Sequence, residues 1–231
     1  MEMFWIIYLF LCGLVIAVFL WLHYKKKKIT CKQETIHAQT KRGDNNKTKE
    51  DLQHTFDTVN SWLNNCDQKA GILLAAIGVA VTIIMTGDFL KFLREYIFGP
   101  FVQYCGGQSD LTFSWGRFTV FCLLIIAVSI LIVSCCYLFG AIRANIDYDK
   151  MYKDNPGLVK KSYVFFGTIS KMRFYDFKKE ECDYEEDLKS QIYVNSIIAT
   201  KKFQNYNEGL FWFKLLLLVA AMLFVAVLFM Q

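Results

Sequence analysis

Residues 48–86 read TKEDLQHTFDTVNSWLNNCDQKAGILLAAIGVAVTIIMT, and this stretch decides the fold. Its first half is polar but carries an apolar seam: Leu52, Phe56, Val59, Leu63, Cys66 and Ala70, at steps of 4, 3, 4, 3 and 4 residues. That spacing puts one apolar stripe on one side of a helix that packs against another helix. Thr48 followed by Asp51 is a capping-box pattern, which starts a helix by satisfying its first free N–H groups. From Ala70 the chain becomes apolar on every side up to Thr86, with no breaker at the junction. The spacing therefore predicts one helix from about Lys49 to Thr86, with a water-facing first half that runs on as a membrane span.

Three further apolar blocks surround it: Met3–Leu22, Phe118–Ile142 and Leu210–Met230. A helix needs ~17–25 largely apolar residues to cross a bilayer, so these three are comfortable and Ala70–Thr86 is at the lower limit. The one charge in these blocks, Lys214, sits a turn inside the fourth and can reach the headgroups along its alkyl stem. Trp5, Tyr8, Trp21, Trp115 and Trp212 lie near block ends, where aromatic rings favour the interface. Only two prolines occur, Pro100 and Pro156, so long helices can run unbroken. The chain reads as an all-α membrane protein: four transmembrane helices and a small cytosolic helical domain formed by helix extensions.

Charge sets the orientation. Glu2 precedes the first block and Lys25-Lys26-Lys27-Lys28 follow it, the reverse of a cleavable signal peptide. The lysines hold that end in the cytosol, and alternation places both termini outside. Of the 26 Lys and Arg, only Lys91, Arg94 and Arg117 fall in the resulting outer loop. The expected organisation is an N-terminal anchor with a polybasic end (1–28) and a flexible cytosolic linker (29–48). The helix entering span two (49–86), an extracytoplasmic loop (87–117) and span three (118–142) follow. A second cytosolic region (143–209) and span four (210–231) complete the chain. Only Cys105 of the eight cysteines faces out, which excludes an intrachain outer disulfide; it is a bridge between two copies or a free thiol.

The region 143–209 carries several local signals. Span three meets no breaker after Arg143 and is expected to continue towards Tyr148, before Asp154-Asn155-Pro156-Gly157 forms a turn. Residues 162–177, SYVFFGTISKMRFYDF, read as a short strand or a packed loop. A second cytosolic helix begins near Asp183, with Glu186 completing a cap pattern. Tyr184, Leu188, Ile192, Ala199, Phe203 and Tyr206 give it an apolar side, and Gly209 is a candidate bend before span four.

Four groups of polar or aromatic residues carry possible chemistry. Asn60, Asn64, Asp67 and Gly71 share one side of the first cytosolic helix, with Lys69 beside them. Asn and Asp are mediocre helix formers, so such a stripe reads as a hydrogen-bonding surface for a small polar ligand or as a solvated face. Asn195, Ser196, Lys201 and Lys202 form a similar group on the second helix, and Arg143 ends span three; these cations suit a bound phosphate or lipid headgroups. Phe165-Phe166-Gly167 suits stacking on a base or filling a core. Asp147-x-Asp149, beside Arg143 and Lys150, reads as surface ion pairing, and Glu180–Asp187 as acids favouring a helix N-terminus. No phosphate-binding Gly-rich loop, dinucleotide fingerprint, zinc motif or nucleophile elbow occurs. Neither catalysis nor a cofactor is expected. The span centres lack the ionisable residues that transport usually requires.

Trp62-Leu63-Asn64-Asn65-Cys66-Asp67-Gln68-Lys69-Ala70-Gly71 leads straight into an apolar helix. Phe166-Gly167, Tyr184-Glu185-Glu186-Asp187-Leu188, Gln191-Ile192, Ser196 and Lys202 follow further on. Across roughly residues 50–230 this arrangement resembles the transmembrane effectors of Pycsar, the pyrimidine cyclase antiphage system. The resemblance implies a partner cyclase that makes cyclic CMP or cyclic UMP on phage infection. The effector's cytosolic region senses that messenger; its membrane helices then assemble or rearrange, and the inner membrane is impaired. It implies partnership with the lipid bilayer and with copies of the same chain, and no nucleic acid polymer. A messenger site is then expected between helix 49–69, helix 183–208 and loop 162–170. Asn60, Asn64 and Asp67 would serve the base or ribose. Lys69, Arg143, Lys201 or Lys202 would face the cyclic phosphate, with Phe166 and Asn195 beside them. The competing reading is a structural or regulatory membrane subunit that binds a protein partner along the Leu52–Cys66 seam. The anchor 1–28 lies outside the resemblance.

Overall fold

A computed structural model describes residues 2–37, 48–86, 88–105, 114–143, 153–159, 162–179 and 183–229. Among these the chain is helical and contains no strand. The elements are α1 (Glu2–His37), α2 (Lys49–Thr86), α3 (Phe89–Phe92), a π-helical turn (Leu93–Phe98) and α4 (Gly99–Cys105). They continue with α5 (Trp115–Arg143), α6 (Phe166–Ile169), α7 (Phe174–Lys179) and α8 (Tyr184–Leu228). Four helices, α1, α2, α5 and α8, are long and apolar enough to cross a membrane. The protein is thus an all-α membrane protein with four candidate spans. Helices suit that solvent because every backbone group in a span is satisfied within its own segment.

Helix ends follow local chemistry. The Thr48 hydroxyl accepts the Asp51 N–H at 3.3 Å, while the Asp51 carboxylate accepts the Thr48 N–H at 3.2 Å: a reciprocal capping box. Asp183 caps α8 from one side, its carboxylate accepting from the N–H groups of Glu185 and Glu186. One expectation is corrected. Residues 29–37 belong to α1 and are not linker. Polar composition does not stop a helix that is already nucleated, and no Gly or Pro occurs between Gly13 and Gly43. α8 runs without a break through Gly209, the candidate bend. The expected extension of span three past Arg143 and the pair Asp147-x-Asp149 lie outside the described residues.

The chain divides into two units. The first contains Met1–Gly43, Leu74–Cys135 and Gly209–Gln231. Its core joins Trp5, Cys12, Leu93, Ile97, Val120, Leu123, Leu215 and Val219. Here α1 lies antiparallel to the end of α8: Phe4 meets Phe229, the Tyr8 hydroxyl donates to the Met222 carbonyl at 2.6 Å, and Phe19 stacks on Phe211. Buried Ser134 of α5 donates to the Gly209 carbonyl at 2.9 Å, the kind of cross-helix hydrogen bond that holds membrane helices together. Gly116 lets Trp5 approach α5, because a Cβ there would stand 2.9 Å from the indole.

The second unit contains Asp44–Leu73 and Cys136–Glu208, and it holds every residue singled out above for ligand binding.

Two glycines test the packing of the first unit. Gly116→Val should lower the thermal midpoint of the detergent-solubilised protein, as overpacking costs about 1–3 kcal/mol. Gly13→Ala, where nothing lies within 4 Å, should leave the midpoint unchanged or slightly raised.

Candidate functional site

The apolar seam of α2 packs inward within this unit: Leu52 is buried, and Cys66 and Ala70 are fully so. The facing helix is α8, which presents an unusually polar buried face. Asp187, Ser190, Gln191 and Lys202 are all buried beside Leu188 and Val194. Polar groups at such positions need partners, since an unpaired buried donor or acceptor costs roughly 1–3 kcal/mol.

Two cross-helix contacts supply them in register. The Asn195 side-chain amide donates to the Asn60 carbonyl oxygen at 2.9 Å. The Lys202 ammonium donates to the Asp67 carboxylate at 2.5 Å. Each pair joins residues 135 apart in sequence. The two helices are therefore parallel here, and the contacts lie one heptad, or about 10.5 Å, apart along the axis. The Trp62 ring meets Phe203 edge-on at 6.0 Å, and the Tyr184 hydroxyl donates to Gln53 at 3.0 Å. Gly140 of α5 leaves room for Asn205, since a Cβ would come within 3.2 Å of its amide.

Lys202 has a second partner. Its ammonium donates to the Ile142 carbonyl at 3.1 Å. Ile142 is among the last described residues of α5. One buried ammonium thus joins α8 to α2 and to the end of α5. Asp67 is more open: its side chain is 40% exposed against 10% for Lys202. Between the pairs, burial pushes the Cys66 thiol up; Asp67 adds to this, while Lys202 and Lys69 oppose it. Cys66 fills the space between the two helices as a fully buried side chain.

Residues 162–177 form neither of the expected elements. They fold as a hydrogen-bonded turn followed by the short helices α6 and α7. Buried Asp187 organises the turn, its Oδ2 accepting from the N–H groups of Tyr163 at 2.7 Å and Val164 at 3.2 Å. The buried Ser162 hydroxyl accepts from Val164 and Phe165, and the Thr168 hydroxyl donates to the Phe165 carbonyl. Gly167 packs under Phe165, because a Cβ would lie 2.6 Å from that ring. Asp187 Oδ1 has no hydrogen-bond partner among the described residues.

The structure thus brings Asn60 to Asn195 and Asp67 to Lys202. It leaves Asn64, Lys69, Arg143 and Lys201 exposed, and Phe166 opens α6. Sequence reasoning missed two features. Asp187 looked like a helix-end acid, yet it anchors the turn; its offset of four residues from Gln191 and seven from Val194 marked it as a member of the buried face. The Ile142 carbonyl had no signal, since main-chain acceptors are invisible in a residue pattern.

The ion pair gives an asymmetric prediction. Asp67→Ala leaves a buried ammonium with one carbonyl partner and should destabilise by about 2–3 kcal/mol. Lys202→Met removes the charge and keeps the packing, leaving Asp67 open to water. Its thermal midpoint should fall less than that of Asp67→Ala.

Residues 51–230 match the family described as Pycsar effector protein domain. The chain is also 30% identical over 174 residues to the Pycsar effector protein GmPycTM of Gulbenkiania mobilis, covering 71% of this chain and 85% of that protein. No solved structure matches it. The matched region begins after α1 and takes in α2, α5 and α8, with Asp67 and Lys202 inside it. The chain belongs to the Pycsar effector family.

Proposed function

We propose that this chain is an antiphage effector of the bacterial inner membrane. Its cytosolic region binds a cyclic pyrimidine mononucleotide, cyclic CMP or cyclic UMP, supplied by a partner cyclase, and its spans then impair the membrane. The observation that carries the reading is the largely buried Lys202 ammonium, held by Asp67 and by the Ile142 carbonyl of α5. A ligand with an anion beside a hydroxyl matches a split Lys–Asp pair. The cyclic phosphate takes the ammonium, and the ribose hydroxyl donates to the freed carboxylate. One heptad away, the Asn60–Asn195 pair offers amide donors and acceptors to a base edge. Amides serve cytosine and uracil alike, so this pair does not choose between them. Exposed Lys69, Arg143 and Lys201 add positive field around the mouth, with Asn64 and Phe166 as further contacts.

Binding reaches the membrane through the helix itself. Asp67 lies three residues before the apolar block of α2, and Lys202 eight residues before that of α8. Opening their pair changes the contact between two helices where they enter the bilayer, and copies of the chain then assemble or rearrange there. Both termini lie outside, as the placement of Lys and Arg requires. The alternative protein-binding seam has less support: Leu52 and Cys66 are already buried within this chain.

Calorimetry on the full-length protein in detergent tests the reading. One pyrimidine cyclic nucleotide should bind in preference to cyclic AMP and cyclic GMP. Lys202→Met should weaken it roughly 10- to 100-fold, the loss of one charge-assisted contact. Folded protein that binds none of the four nucleotides overturns the proposal.

A further inference from the structure

The segment after span two holds a second feature that the messenger reading does not use. Leu93–Phe98 is a π-helical turn, closed by the Gly99 N–H donating to the Arg94 carbonyl. Such wide turns are rare and frequent at functional sites. Gly99 suits the closure, as a Cβ there would meet the Arg94 carbonyl at 3.1 Å. The turn buries both Leu93 and Ile97 in the core of the first unit while Arg94, between them, stays exposed. Phe98 packs edge-on against Phe121 of α5 at 5.7 Å, which tethers the other wall.

The result is a groove of about 400 Å³ lined by Leu90, Lys91, Leu93, Arg94 and Phe98. Three walls are apolar and two are cationic. Lys91 stands 3.6 Å from Asp88, but both side chains are at least 79% exposed, and such a pair is weak. Arg94 makes no ion pair among the described residues. Its planar fork suits a phosphate, and its neighbours suit hydrocarbon. Exposed Asp88 and Glu95 balance the two cations across the segment, which favours a singly charged anion over a polyanion. The groove follows a membrane span by a few residues, so its nearest source of amphiphiles is the bilayer.

We propose that this groove holds one phospholipid. Its phosphodiester sits between Arg94 and Lys91, and the first part of an acyl chain lies along Leu90, Leu93 and Phe98. The site is independent of the messenger reading and stands or falls apart from it.

Native mass spectrometry of the full-length protein in mild detergent tests this, with phosphatidylethanolamine and phosphatidylglycerol added in turn. Wild type should retain one phospholipid. Lys91→Ala with Arg94→Ala should lower its occupancy about tenfold or more, the loss of two interfacial cations. Lys153→Ala, an exposed cation elsewhere, should not, and Arg94→Lys should keep part of the binding. Circular dichroism checks that the double variant is folded. If that variant misfolds, Leu90→Asp, which places a carboxylate in the hydrocarbon wall, should lower occupancy in its place. No adduct on wild type, or equal occupancy in folded wild type and variants, overturns the proposal. So does inorganic phosphate alone binding with the same Arg94 dependence and displacing the lipid, because the site is then for a free anion.

Discussion

One buried ammonium organises the second unit of this protein. Lys202 cannot be left in an apolar contact between helices without partners, for desolvating a lone charge costs more than a small domain's margin of stability allows. The constraint draws in a carboxylate from α2 and the Ile142 carbonyl of α5. Each partner solves a problem of its own. Asp67 gains a counter-ion, and the Ile142 carbonyl gains a donor. Burying an ion pair contributes little net stability compared with an apolar contact of the same volume. What it contributes is register: only one alignment of α2 and α8 brings both polar pairs together.

The proposed function uses that economy. An apolar seam such as Leu52–Cys66–Ala70 is indifferent to a polar solute. An ammonium and a carboxylate can each exchange their partner for a complementary group of a ligand, at modest net cost. The packing beside them is tight, with Cys66 fully buried and Gly140 under Asn205. Asp187 plays the companion role at the start of α8, fixing the 162–168 turn through backbone N–H groups. The polar face of α8 thus specifies geometry at two places, with apolar packing between them.

In the other unit the solvent imposes a different rule. With lipid outside, hydrophobicity no longer sorts inside from outside, and association rests on close approach and a few hydrogen bonds. Gly116 under Trp5, Ser134 on the Gly209 carbonyl and Tyr8 on the Met222 carbonyl are the devices used. The π-helical turn after span two follows the same logic, widening the backbone so that two apolar residues reach the core without burying Arg94 between them.

Much of this was legible in the residues alone. Block length and uniform apolarity identify four spans, since bilayer thickness sets the scale. The Thr48–Asp51 and Asp183 caps are local, and the Leu52–Ala70 seam is periodic. Family membership followed from the same stretches, and Asn60, Asn64, Asp67 and Lys202 stood out by residue type on a helix. Three things were not legible. Polar composition hid the helical 29–37 segment, because breakers rather than polarity end helices. The aromatic run 162–177 has no period, so its turn depended on Asp187, two dozen residues away. The pairing of Asn60 with Asn195 and Asp67 with Lys202 was also hidden. A helical pattern names the face a side chain occupies, but its partner depends on the register between segments 135 residues apart, and only tertiary packing sets that register.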